Sequence, residues 1–118
     1  MKRLYSATQN SLRGIADGFK TELALRDDAL LVVLALAFGV IVAPSNAWYT
    51  AMVGSLLIVL AVKFLNTAIE KFADHVTRGQ HNDIRRIKDF GSAAVFCSLC
   101  LAGLVWLAAL VVRTTASR

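Results

Sequence analysis

A chain of 118 residues that is 57% hydrophobic, with a mean hydropathy of +0.59, has too little polar surface to cover itself as a soluble domain. Its net charge of +5 could suit nucleic acid, but the basic residues flank apolar runs and no aromatic residues interleave with them. The totals therefore exclude a nucleic-acid surface and a multidomain protein. They leave an all-α integral membrane protein with positive charge at the membrane surface.

Residues 1–27 have Leu12, Ile15, Phe19 and Leu23 at helical spacing, with Arg13, Asp17 and Lys20 elsewhere on the wheel. This pattern predicts an amphipathic helix in the membrane interface or packed on the membrane domain. The polar N-terminus does not read as a cleavable signal peptide. ALLVVLALAFGVIVA (29–43) is the first span. It is short against the ~20 residues a bilayer needs, so its helix should draw in part of Glu22–Asp28, placing Glu22, Arg26, Asp27 and Asp28 at one mouth.

Pro44-Ser45-Asn46 is a turn, and Trp48 and Tyr49 mark the far interface. The second span covers 47–74, including a polar extension. On a helix, Lys63, Asn66, Glu70 and Asp74 fall within about 80° of arc, opposite Phe64, Leu65, Ala68, Ile69 and Phe72. Such a stripe at the end of a span usually faces a protein interior or a polar cavity. Residues 75–89 read as a loop, and 90–112 as the third span. Gly91, Ser92, Ala93 and Ala94 there form a patch of small residues suited to close helix approach. Cys97 and Cys100 lie deep in that span with no second pair or basic neighbour, and read as packing residues.

Lysine and arginine number five before the first span, none in the first turn, five in the second loop and two in the tail. The positive-inside rule then puts the N-terminus and second loop in the cytoplasm and the C-terminus outside. Every polar candidate lies on the cytoplasmic side. Glu22 and Glu70 could reach one pocket there, with Arg85, Arg86 and Lys88 neutralising phosphates and His81 or Asn82 donating from the loop. A solvated rim of charges would give the same composition.

Specific blocks go further. LNTAIEKFAD (65–74) and RIKDFGSAAV (86–95), with SLRG (11–14) and TELALRDD (21–28), closely resemble the prokaryotic diacylglycerol kinase family. The resemblance runs from Arg3 to Trp106. It implies a homotrimer of three-span subunits with an N-terminal surface helix in the bacterial inner membrane. The activity it implies is transfer of the γ-phosphoryl of MgATP to diacylglycerol, giving phosphatidic acid. By motif position, Glu22 and Glu70 would hold Mg²⁺ and contact ATP, and Asn66 would support the catalytic centre. Arg3, Asn10, Gly79, Gln80, His81, Lys88 and Asp89 would handle the nucleotide, with Arg3 also bordering the lipid. Ala7, Ser11, Leu12, Ala16, Phe19, Ser92 and Trp106 would line the lipid side.

Two departures stand out. The family motif opens with a glutamate, the general base on the lipid hydroxyl, where this chain has Lys63. Lysine is protonated at neutral pH and accepts a proton only if burial drives it neutral. Otherwise Lys63 could bind a phosphate oxygen, or pair with Glu22 or Glu70 and block the metal. Loss of a positioned base costs about 10²–10⁴-fold in rate, so the kinase could be reduced, altered or silent. Asn10 and Leu12 also replace family aromatics. The rival readings are a polyprenol kinase of the same fold, a silent lipid-binding relative and an inert assembly protein. A small proton-coupled exporter would need a lone mid-span acid and usually a fourth span, and has neither.

Overall fold

The computed structural model describes residues 1–76 and 82–116, which form four α-helices: α1 (Lys2–Thr21), α2 (Leu23–Val42), α3 (Asn46–Val76) and α4 (Asn82–Ala116). Gly79, Gln80 and His81, expected to contact nucleotide, lie outside the described residues.

The break between α1 and α2 falls at Glu22, whose extended backbone (φ −117°, ψ 105°) closes one helix and opens the next. No glycine or proline marks this corner. Arg26 stabilises it instead, donating from Nε to the Phe19 carbonyl (3.0 Å) and from Nη2 to the Lys20 carbonyl (3.3 Å). A cation there satisfies orphan carbonyls and complements the negative end of the α1 dipole. Residues 23–28, part of which the first span was expected to draw in, are all in the first turns of α2, so the surface helix ends at Thr21 rather than near residue 27. At its other end α2 stops at Ala43, because the residue before Pro44 is driven out of helical geometry. Ser45 then caps α3, its Oγ accepting from the Trp48 N–H (3.3 Å).

Helix α3 runs to Val76 and α4 starts at Asn82, so residues 75–76 and 82–89 of the segment read as a loop are helical. Ile84 and Ile87 continue the apolar period and face α3, and that contact outweighs the polar composition.

Helices α3 and α4 pack most extensively, α2 lies against α3, and α1 touches α2. The α3–α4 seam has a seven-residue period. Met52, Val59 and Ala73 are buried on α3 with Asn66 half-buried in the same register, while Gly91, Ser98, Ala102 and Ala109 are buried on α4. Small side chains on α4 let the helices approach closely. Of the Gly91–Ala94 patch, only Gly91 is buried.

Val42, Met52 and Ala109 form the core at the far end, covered by Trp48, Val105 and Trp106. Trp106 donates to the Met52 carbonyl (3.3 Å) and Tyr49 to that of Leu36 (3.0 Å), tying three helices together.

Elsewhere large apolar side chains point outward, with Leu34 58% and Phe38 56% exposed on α2. Such a surface needs a non-aqueous covering. Helices α3 and α4 are each long and apolar enough to cross a membrane. Helix α2 has an apolar run of similar character, but Arg26, Asp27 and Asp28 crowd its first turns. At 1.5 Å per residue α3 is about 46 Å long against about 30 Å of hydrocarbon, so one end projects beyond it.

Candidate functional site

The polar stripe of α3 sits where that helix meets the α1–α2 corner on one side and the start of α4 on the other. Lys63 Nζ pairs with Asp28 Oδ1 of α2 at 2.8 Å, their side chains 26% and 20% exposed. Lys71 Nζ meets Glu22 Oε1 at the corner at 2.6 Å. Lys88 Nζ of α4 reaches Asp74 Oδ1 at 2.6 Å on the exposed rim. Three ion pairs thus join α3 to both of its neighbours.

Lys63 therefore pairs with neither Glu22 nor Glu70, the two partners anticipated for it from sequence. The reason is axial position: Asp28 lies almost two turns along α2 from Glu22, level with Lys63 rather than with the corner.

Glu22 pairs with Lys71, the residue that follows Glu70 on α3. Both carboxylates act on the Lys71 ammonium, which lies beyond the apolar run of α3. Glu22 favours its protonated form most, by hydrogen bond and charge, with Asp74 and Glu70 adding charge alone. Asn66 donates from Nδ2 to Glu70 Oε1 (3.3 Å), which holds that carboxylate toward the α3–α4 seam. Asn66 Oδ1 is buried and, among the described residues, has no hydrogen-bond partner. It points at Gly91, where any β-carbon would collide with it. Gly91 thus makes the room that Asn66 occupies.

Among the described residues no three acidic, histidine or cysteine side chains cluster as a ready metal cage. The Glu70 carboxylate held by Asn66, and that of Glu22 on the neighbouring Lys71, are the kind of oxygen donors that a hard cation bringing phosphate oxygens with it takes one or two of.

Below the Lys63–Asp28 pair opens a slot of about 310 Å³, apolar apart from those two residues, between Leu31 and Ala35 of α2, Leu56 and Leu60 of α3, and Leu99 of α4. A second apolar groove, of about 590 Å³, lies between the α3 extension and α4, lined by Leu65, Phe72, Ile84 and Ile87 among others.

The other expected residues are dispersed. Arg3, Ala7, Asn10, Ser11, Leu12 and Ala16 are exposed along α1, with Asn10 Oδ1 accepting from Arg13. Phe19 stacks at a tilt on Phe64, ring centres 5.7 Å apart, and Gly18 lets α1 approach that ring. Asp89 and Ser92 are exposed, and Trp106 lies in the far-end core, away from the stripe. Asp28, Arg26 and Lys71 had no role assigned from sequence. Asp28 and Arg26 do lie within TELALRDD, which was the available signal.

Residues 9–110 match the family model described as prokaryotic diacylglycerol kinase. The chain is 33% identical over 106 residues to a protein named diacylglycerol kinase from Haemophilus influenzae, covering 90% of each. A protein of the same name from Pseudomonas aeruginosa is 34% identical over 106 residues, 90% of this chain and 86% of that one. One from Escherichia coli K12 is 29% identical over 104 residues, 88% and 85% respectively.

Proposed function

The chain belongs to the prokaryotic diacylglycerol kinase family, and from that premise we propose that it transfers the γ-phosphoryl group of MgATP to the hydroxyl of diacylglycerol, giving phosphatidic acid. One observation carries this reading: the polar stripe of α3, tied to Glu22 through Lys71 and to Asp28 through Lys63, ends at the mouth of an apolar slot. Phosphoryl transfer needs positioning and charge neutralisation more than covalent chemistry.

In this reading Glu22 and Glu70 hold Mg²⁺, which when bound neutralises charge on the β- and γ-phosphates. Lys71, 69% exposed on a flexible stem, moves from Glu22 to a phosphate oxygen as the nucleotide arrives. Asn66 keeps Glu70 oriented. Lys88, paired with Asp74 at the rim, is placed to meet the nucleotide, with Asp89, Arg3 and Asn10 around it. The acyl chains occupy the slot, where seven apolar residues replace the bilayer.

We place the protein in the bacterial inner membrane, with α2, α3 and α4 spanning it and α1 on the cytoplasmic surface. The N-terminus and the α3–α4 connection are then cytoplasmic. The exposed apolar groove of Leu65, Phe72, Ile84 and Ile87 lies level with the polar stripe, where headgroups and water cover apolar surface poorly. It supports assembly with further copies, as a homotrimer.

The test is incorporation of labelled phosphate from MgATP into diacylglycerol and into a polyprenol, side by side, with protein reconstituted in bilayers. Phosphatidic acid as the main product supports the proposal. Preferential polyprenyl phosphate moves the acceptor to a long-chain isoprenoid alcohol, and no lipid product removes the kinase reading.

A further inference from the structure

The residue at the expected general-base position is a cation, yet a carboxylate lies 2.8 Å from it. We propose that Asp28, on α2, is the catalytic base that accepts the proton of the lipid hydroxyl, taking the place of an acid on α3. This rests on the kinase reading above.

Three observations lead here. Asp28 and Lys63 are the two charged residues on the wall of the apolar slot, at its polar mouth. An alcohol whose acyl chains fill the slot therefore presents its hydroxyl to this pair. Lys63 holds Oδ1 of Asp28, and among the described residues the second oxygen, Oδ2, accepts no hydrogen bond. It is free to accept one from the alcohol. Finally, the ammonium has three N–H donors and spends one on Asp28. The remaining two can reach oxygens of the incoming phosphoryl group, so one side chain fixes the base and draws the electrophile toward it.

In the step, the alcohol oxygen attacks the γ-phosphorus as its O–H bond breaks and the proton passes to Asp28 Oδ2. The bond from phosphorus to the bridging oxygen of ADP breaks, and ADP leaves with that electron pair. Asp28 returns its proton to water after the lipid phosphate departs. Relative to a base on α3, the carboxylate lies on α2 and the slot still ends at an acid.

The experiment compares wild type, Asp28→Asn, Lys63→Glu and the double variant Asp28→Asn/Lys63→Glu in bilayers. It measures kcat and the KM for MgATP on diacylglycerol, with elution volume in mild detergent as the check on folding. Asp28→Asn should lower kcat by at least about 100-fold, the usual effect of removing a positioned base, with KM for MgATP within about twofold. The double variant, with its acid restored on α3, should recover at least about tenfold over Asp28→Asn.

A folded Asp28→Asn that loses less than this overturns the proposal, as does a double variant that recovers nothing. An inactive wild type with an active Lys63→Glu also overturns it, because the ion pair is then a lock on the site, while the kinase reading survives. No transfer to any lipid by all four chains removes both.

Discussion

Replacing Gly91 by alanine tests whether the α3–α4 seam is built around Asn66. A β-carbon at position 91 would overlap Asn66 Oδ1 and lie 3.2 Å from Asn66 Cγ, so the amide must rotate or the helices must part. Rotation breaks the 3.3 Å hydrogen bond from Nδ2 to Glu70. A hydrogen bond to a charged group contributes about 1.5–3 kcal/mol, and overpacking of a tight site costs about 1–3 kcal/mol. Against this, Gly→Ala inside a helix stabilises by about 1 kcal/mol. Whichever of the two relieves the overlap, the net loss of stability should be small, about 0–2 kcal/mol, while activity falls sharply because Glu70 loses its orientation.

The double-mutant cycle sharpens the test. With Asn66→Ala already in place the obstacle is gone, and Gly91→Ala should become stabilising by about 1 kcal/mol. Thermal or denaturant unfolding of the four chains in detergent should thus give a coupling energy of about 1–3 kcal/mol between the positions. Additive effects within about 0.5 kcal/mol would show that Gly91 is not there to accommodate Asn66, and would refute the reasoning.

Other perturbations probe the remaining contacts. Arg26→Ala removes two hydrogen bonds to α1 carbonyls and should destabilise the protein by about 1–3 kcal/mol, with raised KM for MgATP as Glu22 loses its corner; unchanged unfolding and KM would refute the clamp. Gly18→Leu places a side chain where Phe64 Cε1 already lies 2.6 Å from a β-carbon, so α1 should detach and become readily cleaved by protease, with α2–α4 intact; wild-type protection would contradict the docking. Asp74→Asn breaks an exposed ion pair and should change unfolding free energy by less than about 1 kcal/mol; a larger loss would show that the pair holds α4 in place.

Much of this was legible from periodicity. The polar arc of Lys63, Asn66, Glu70 and Asp74 follows from spacing along one helix, and the structure turns that arc toward its neighbours. What lies across from each residue does not follow from spacing. Lys63 could equally have met Glu22, Glu70 or Asp28. The axial offset of α2 decides it, and that offset depends on where the chain turns. The turn at Glu22 carries no glycine or proline; it is stabilised by a side chain four residues on, so no local signal marks it. The start of α4 was hidden for the opposite reason. Ile84 and Ile87 carry a helical period, but the charges around them read as solvated loop until α3 supplies a surface for the isoleucines. Asn66 illustrates a third case: its place on the wheel is plain, whereas its dependence on Gly91 emerges only once two helices are packed.

The central claim is that Glu22 and Glu70 share one cation carrying the nucleotide. It is tested most directly by the affinity of Mn²⁺–ATP, read by the paramagnetic resonance of Mn²⁺, for wild type, Glu22→Gln, Glu70→Gln and the double variant. Joint ligation predicts that each single variant loses at least about tenfold in affinity and that the double loses clearly less than the product of the two. Wild-type affinity in either single variant would contradict it.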